Sequence, residues 1–299
     1  MERDLTLLER ISAQEAALPD LELAVPENSE LDRWEELDDA ELRKRIELLA
    51  GRLSKAPEAA DPFGWKLLLA LMRRALTREF APFGLKGTAP LVEDRIRRLL
   101  ATGDAFRPRL TDEGIMHDCL VLFGRRVPLG IYHAKVGAVP RSQLVRSAPA
   151  DAWRLARYLA LEMRGFGPTL AIHLPEQMHR HLTEGDYVEA HLLAVRLFES
   201  NPRLKGFYNA AWYYDPAIAS ISPHLAFLPR FASSHGAIAI GTGQNEDVVA
   251  DATWKSGTRR RLYQAGEYSP KSFARIWSRR RFLEWADRHR HDATKRVVS

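Results

Sequence analysis

The first hundred residues carry apolar side chains at helical spacing. Over residues 37–53, leucine and isoleucine recur every three or four positions, which places them on one face of a helix. Segments 65–80 and 91–100 show the same pattern. In residues 1–35, the prolines and a polar run indicate a short helix followed by a loosely held arm. We therefore predict an all-helical N-terminal region over residues 1–112.

The pattern changes near residue 115. Two apolar runs, 119–123 and 127–133, flank the turn Gly124-Arg125-Arg126, which predicts a β-hairpin. An amphipathic helix is predicted over residues 150–163. Glycines soon after residue 163 are expected to end this helix.

A strand–helix–strand unit follows. Residues 169–174 form a short apolar run, residues 187–198 a helical pattern, and residues 206–214 an aromatic run typical of a strand. The unit has the length expected of a parallel crossover. Further strands are predicted over 237–240 and 273–277, and further helices over 225–233, 258–265 and 279–289. The predicted fold class is α/β (α+β), with the helical N-terminal region followed by a mixed-sheet domain over residues 113–299.

Composition narrows the class of protein. The chain has 299 residues, of which 45% are hydrophobic and 28% charged, as expected of a folded domain rather than a disordered chain. Its single cysteine, Cys119, excludes an intrachain disulfide framework and a cysteine-rich metal cluster. A cytoplasmic location is therefore predicted. Without a secretory signal or eighteen consecutive apolar residues, neither export by that route nor a membrane span is expected.

The net charge of +5 conceals an uneven distribution. Residues 1–60 sum to about −8 and residues 251–299 to about +8. One alternative hypothesis is therefore a non-catalytic binding module that uses the basic C-terminal segment for nucleic acid or an acidic partner. Since no base-reading module accompanies this segment, nucleic acid is not the favoured partner.

Candidate chemistry begins where the aromatic strand meets an Asp-Pro step. Proline disfavours a continuing strand, so the strand is expected to stop at Asp215. Strand ends commonly carry ligand-binding and catalytic groups in α/β proteins. Asp215 is either a general base or a cap for the following turn, and Ser222 before Pro223 is a typical helix cap. The accompanying candidates for a substrate pocket are Trp212, Tyr213, Tyr214 and His224.

Histidines form a second candidate set. His173 ends a predicted strand, and His179, His181 and His191 follow it. With Asp186, Glu189 or Asp215 they could form a 2-His-1-carboxylate metal site, which makes a metal-dependent enzyme another alternative. The spacing matches no metal motif, so no metal is favoured. His173 could equally act alone as an acid or base.

A phosphate site is a third candidate. Ser256-Gly257 precedes three arginines at a predicted helix start, and backbone amides with guanidinium groups bind phosphate well. Thr258, Arg259 and Arg260 are the candidate ligands. The glycines at 241 and 243 lack the lysine and the spacing of a phosphate-binding loop and are expected to form a turn.

Several of these segments carry a resemblance. The chain resembles a poorly characterised group of bacterial proteins that share an aromatic-Asp-Pro pattern, a Ser-Pro-x-Leu pattern and a late Trp-x-Arg. The resemblance covers about residues 165–286. The matching residues are Trp212-Tyr213-Tyr214-Asp215-Pro216, Ser222-Pro223-His224-Leu225, Thr258-Arg259-Arg260-Arg261-Leu262-Tyr263 and Tyr268-Ser269-Pro270-Lys271-Ser272-Phe273.

The predicted element order over residues 169–277 is also similar to the core of the acyl-CoA N-acyltransferase (GNAT) fold. In that family, a splayed strand pair binds pantetheine and the next helix start holds pyrophosphate. Here Pro175-Glu176-Gln177 stands where the family has its Gln/Arg-x-x-Gly-x-Gly/Ala motif. The resemblance thus implies a GNAT-like domain with an altered donor site.

The hypothesis that follows is an N-acyltransferase. It would transfer an acyl group from CoA, or from a thioester on an acyl carrier protein, to the amine of a small molecule or peptide. His173 or Asp215 would act as general base. The Trp212–Tyr214 segment would line the pocket, and Arg259 and Arg260 would meet the donor phosphates.

Overall fold

The computed structural model describes residues 2–18, 25–53, 57–78, 82–102, 113–130, 132–174, 182–254 and 256–298. The chain divides into two compact units. The first comprises residues 1–133 and 174–180, and the second comprises residues 134–173 and 181–299. The domain boundary expected between residues 112 and 113 stays a prediction.

The first unit is helical. Its apolar side chains form one buried cluster that extends from Leu7 to Phe123, and the predicted helical N-terminal region is confirmed. A helix also occupies part of the segment expected to be a loose arm, because Leu31 and Trp34, three residues apart, are both buried. The helices are α1 Glu2–Ala16, α2 Asn28–Glu36, α3 Asp39–Leu53, α4 Pro57–Thr77, α5 Ala89–Thr102 and α6 Glu113–Leu122.

The hairpin predicted at residue 119 is wrong in its first half. Cys119 to Leu122 end helix α6, and both residues are fully enclosed in the helical core. Because this segment is apolar on all sides, it shows no helical period, and a short buried helix has the same sequence pattern as a buried strand. Strand pairing begins one turn later, at Val127.

One mixed sheet of six strands runs through the α/β part of the chain. Its strand order is β1-β2-β3-β4-β6-β5. β3 and β4 are parallel, whereas β6 is antiparallel to both β4 and β5. The predicted mixed α/β class is therefore confirmed. The strands are β1 Val127–Leu129, β2 Tyr132–Gly137, β3 Thr169–His173, β4 Gly206–Ala211, β5 Ile238–Gly243 and β6 Ser272–Ser278.

The second unit adds helices to this sheet. They are α7 Ser142–Arg146, α8 Pro149–Tyr158, α9 Glu184–Ser200, α10 Ile218–Ile221, α11 Phe227–Ser234, α12 Glu246–Thr253, α13 Gly257–Gln264 and α14 Arg279–Val298. All the helices predicted in this region are present, whereas α7, α10 and α12 were not predicted. A π-helical turn, Leu159–Met163, continues α8 until Arg164, which has a left-handed backbone. Among the described residues, none of the helices combines the length and apolar character that crossing a membrane requires.

The two faces of the sheet have different cores. Ile276 packs with α8 and the π-helical turn, in a cluster that includes Leu155 and Met163. The next residue of β6, Trp277, points the other way, as alternation in a strand requires. It contacts an aromatic layer from β4, α9, α11 and α14. The rings of this layer are His191, Phe198, Phe207, Phe231, Trp277, Phe282 and Trp285.

A substitution at Gly206 tests the close packing of β4 against β6. Its φ is +153°, and a β-carbon there would overlap the carbonyl oxygen of Trp277 and lie 2.9 Å from the Cα of Ser278. We expect Gly206→Ala to destabilise the chain by about 3 kcal/mol or more, because strain and overlap add. Urea unfolding followed by circular dichroism measures this. Gly257→Ala is the control, since its added methyl meets open space, and it should change stability by less than about 0.5 kcal/mol.

Candidate functional site

An opening between two parallel strands is the main feature of the second unit. β3 pairs with β4 at only two positions, Thr169 with Gly206 and Leu170 with Phe207. The strands continue to His173 and Ala211, yet the recorded pairing stops there. On its other side, β4 pairs with β6 along all six residues. Among the described residues, the register of β3 with β4 therefore ends at Leu170 and Phe207, and the two strands carry on beyond it. We call this opening the wedge.

One face of the wedge carries polar side chains. Because residues in register on parallel strands share a face, His173 lies on the same face as Tyr208 and Ala210. His173 and Tyr208 are half-buried, and Ala210 is exposed. Burial raises the pKa of Tyr208, so its phenol stays protonated at neutral pH and can donate a hydrogen bond. Sequence reasoning missed Tyr208, although the alternation along β4 could have identified it.

The aromatic run after β4 differs from its prediction. The strand ends at Ala211, and Trp212–Tyr214 forms a 3-10 turn in which all three rings are buried. The amide of Asn209 donates to the Tyr214 hydroxyl over 2.9 Å. Burial raises the pKa of Tyr213 to about 12. The strand prediction through residue 214 is therefore wrong, because consecutive large rings reach the core from a turn.

Asp215 holds the loops around the end of β4. One carboxylate oxygen accepts from the backbone N–H of Ala217 at 3.0 Å, and the other accepts from that of Lys271 at 3.3 Å. The side chain is buried. The pKa of Tyr268 is raised to about 12, mainly by burial and to a smaller extent by the negative charge of the nearby Asp215. Asp215 thus joins the turn after β4 to the segment before β6, which is the capping role that sequence left open.

Arg259 connects the start of α13 to the same region. Its Nη1 donates to the Ser222 hydroxyl over 2.9 Å, and its Nε donates to the Ala252 carbonyl. The guanidinium carbon lies 4.4 Å from the centre of the Trp212 ring. Burial lowers the pKa of Arg259. The phosphate role expected of this side chain stays a prediction, since its contacts with Ser222, Ala252 and Trp212 all lie within the protein. Thr258 and Arg260 are both exposed at the same helix start.

The start of α9 is acidic. Thr183 and Asp186 form a reciprocal capping box, in which each side chain accepts from the backbone N–H of the other. Glu184 adds a second carboxylate to this first turn. Carboxylates at this position interact favourably with the helix dipole. A pyrophosphate bound here would be repelled by their negative charge, and the backbone N–H groups of Thr183 and Asp186 already donate to the capping box.

Comparisons with known proteins give distant likenesses only. No family model and no curated protein matches the chain. Among solved structures, crystal structures of acyltransferases match. One, a complex with decanoyl-CoA and teicoplanin, has 13% identity, a TM-score of 0.40, and covers 92% of this chain and 99% of that one. A mutant acyltransferase with octanoyl-CoA has 14% identity, a TM-score of 0.38, and covers 90% and 93%. TM-scores this low carry no argument about the chain.

The histidines considered as metal ligands do not gather among the described residues. His191 is fully buried, its Nδ1 lies 2.7 Å from the Tyr187 carbonyl, and its ring is enclosed by aromatic side chains. The carboxylate of Asp186 belongs to the capping box. His179 and His181 lie outside the described residues. Within the described part, no group of three His, Cys, Asp or Glu side chains is placed to hold a metal.

The arginines that begin α14 are engaged with their own fold. Arg279 donates to the carbonyls of Phe198 and Asn201 at the end of α9. Arg280 and Arg281 both pair with Glu162 and also with Glu284. This use of the basic run gives the nucleic-acid alternative no support. His224, expected in a substrate pocket, is exposed in the short 3-10 turn Pro223–Leu225.

The burial of His191 predicts how the stability of the chain depends on pH. Burial lowers its pKa to about 3, whereas the unfolded chain accepts a proton near pH 6.5. Stability should therefore fall as the pH drops below about 6.5, by roughly 2–3 kcal/mol at pH 4.5 from this group. His191→Phe should flatten that part of the curve in urea unfolding at several pH values. His224→Gln, an exposed control, should keep the wild-type slope.

Arg259 generates a stability prediction. Arg259→Ala should cost about 2–4 kcal/mol, because it removes two hydrogen bonds and a cation–π contact from a buried position. Arg260→Ala, next to it but exposed, should cost less than about 0.5 kcal/mol. Urea midpoints of the two variants measure the difference. Equal midpoints would show that the Ser222, Ala252 and Trp212 contacts contribute nothing.

Proposed function

We propose that the second unit is an acyltransferase that takes an acyl group from a pantetheine thioester and passes it to an amine. The wedge carries this proposal. Unpaired N–H and C=O groups of parting strands suit an extended chain of amides, which adds to a sheet edge as a further strand would. The pantetheine arm of CoA, or of a carrier protein, is such a chain. The GNAT resemblance implies the same use of a splayed strand pair.

The side chains beside the wedge suit the chemistry. The amine nitrogen forms a bond to the thioester carbon, the carbon–sulfur bond breaks, and a proton leaves the nitrogen while one reaches the sulfur. His173 is the proposed base, acting directly or through one water. Tyr208, protonated at neutral pH, is the proposed donor to the departing sulfur. Asp215 is the weaker candidate for base, since both carboxylate oxygens hold backbone N–H groups.

The donor phosphates would bind away from the start of α9. The acidic capping box there disfavours pyrophosphate. Arg259 contacts the Trp212 ring, so the start of α13 lies beside the end of β4. Thr258 and Arg260 are exposed at that start, and we propose that they meet the phosphates of CoA. The acceptor would be an amine of a small molecule or peptide, and a cytoplasmic location fits a CoA donor.

Calorimetric titration with acetyl-CoA, decanoyl-CoA and decanoyl-pantetheine tests this proposal. We expect both decanoyl thioesters to bind, because both present the pantetheine arm. Arg260→Ala should weaken the binding of decanoyl-CoA by about tenfold and leave the affinity for decanoyl-pantetheine unchanged, since only CoA carries the nucleotide phosphates. Ala210→Trp should block both ligands by filling the wedge, whereas Ala265→Trp, at an exposed site, should block neither. Absence of binding at millimolar ligand would reject the proposal.

Catalytic roles are tested in single-turnover assays with a bound thioester and a panel of amines. His173→Gln should slow transfer by about a hundredfold or more and remove the lower limb of the pH profile, with little loss of stability. Asp215→Asn should instead lower the urea midpoint, because its carboxylate holds two loops. The reverse pattern would make Asp215 the base.

A further inference from the structure

A second cleft opens between α9, α11 and α14. Its volume is about 530 Å³, which lies within the range of small-molecule sites. Val188 of α9, Phe231 of α11 and Trp285 of α14 form its apolar walls. Phe231 and Trp285 are largely buried. They belong to the aromatic layer on the sheet, so the walls are held in place before any ligand binds.

Four aromatic rings continue along these walls. The Phe231 and Trp285 ring centres lie 5.4 Å apart. His235 lies 5.2 Å from Phe231 and 6.1 Å from Trp285, and His289 lies 5.6 Å from Trp285. The His235 carbonyl accepts a hydrogen bond from the Trp277 indole at 3.1 Å, which fixes that end. Phe231 and Trp285 form the buried apolar floor of the cleft, and the half-buried rings of His235 and His289 are the more accessible aromatic groups for a planar ligand.

The cleft has a cationic side and an anionic side. Arg288 and His289 lie on the α14 side and Glu184 on the α9 side. The pKa of His235 is lowered mainly by burial and also by Arg288 and His289, whereas Glu184 acts to raise it. These side chains are thus close enough to act on one another.

Arg288 differs from the other arginines of α14 whose side chains the structure describes. Arg279, Arg280, Arg281 and Arg290 each donate to a carbonyl or carboxylate. Across the part of the chain that the structure describes, no residue hydrogen-bonds to the Arg288 guanidinium or forms an ion pair with it. A guanidinium at the rim of an aromatic cleft is the group that binds a carboxylate through two parallel hydrogen bonds.

From this combination we propose that the cleft binds a small aromatic carboxylate. The planar body would contact Val188, His235 and His289 above the buried floor of Phe231 and Trp285, and the carboxylate would pair with Arg288. Glu184 would oppose the ligand charge from across the cleft. The site is independent of the acyl-transfer proposal, because none of its residues belongs to the wedge or to the start of α13.

The probe is 2-naphthoate, compared with 2-naphthamide, which has the same rings and no charge. In calorimetric titration of the full chain, we expect the carboxylate to bind at least about tenfold more tightly than the amide. Arg288→Gln should remove that preference. The matched control is Arg290→Gln, an exposed arginine two residues on that pairs with Glu199, and it should leave the preference intact.

Two further variants should change the affinity for 2-naphthoate in opposite directions. Glu184→Gln should strengthen naphthoate binding by about two- to threefold, because it removes a repelling charge. Val188→Glu should weaken it by about tenfold or more, because it adds a carboxylate to the apolar wall. Equal affinity for the amide, an unchanged preference in Arg288→Gln, or no saturable binding of 2-naphthoate up to about 5 mM would each overturn the proposal. Thermal unfolding of each variant verifies that it is folded.

Discussion

The parting of β3 from β4 is the constraint on which the rest of the second unit depends. β4 has a neighbour on each side, and it pairs with β6 at six positions but with β3 at only two. Buried backbone donors and acceptors must find partners, and among the described residues the register of β3 with β4 provides them only as far as Leu170 and Phe207. An apolar ligand would leave that need unmet. A chain of amides would meet it, and our proposal of a pantetheine arm follows from that requirement.

The polar contacts around the end of β4 hold this opening in shape. Asp215 joins the turn after β4 to the segment before β6 through Lys271. Arg259 stacks on Trp212 and bonds to Ser222. Both contacts draw the end of β4 toward β6 and α13, away from β3. The side chains that looked most catalytic in the sequence therefore stabilise the wall of the site, while His173 and Tyr208 remain on its polar face.

Sequence patterns predicted most elements of the second unit because each strand or helix there has a regular period and a clear terminator. The same reasoning failed at residues 119–123, where a fully buried helix has no period to detect. It also failed at Trp212–Tyr214, because aromatic residues favour strands in general and nothing local signals a 3-10 turn. Residue types directed attention to the ends of β3 and β4, where we place the candidate site, but they did not reveal the contacts of each side chain.

Long-range partners explain why those roles were hidden. Glu162 neutralises Arg280 and Arg281 from well over a hundred positions away, so the basic run looked like a free surface in the sequence. His191 looked like a metal ligand until its aromatic enclosure was known. The net charge of +5 says little about binding for the same reason. Among the side chains of α14 that the structure describes, Arg288 is the arginine without an internal ion pair or hydrogen bond, while the start of α9 is acidic. The placement of unpaired charge, rather than its sum, determines which anions this chain can bind.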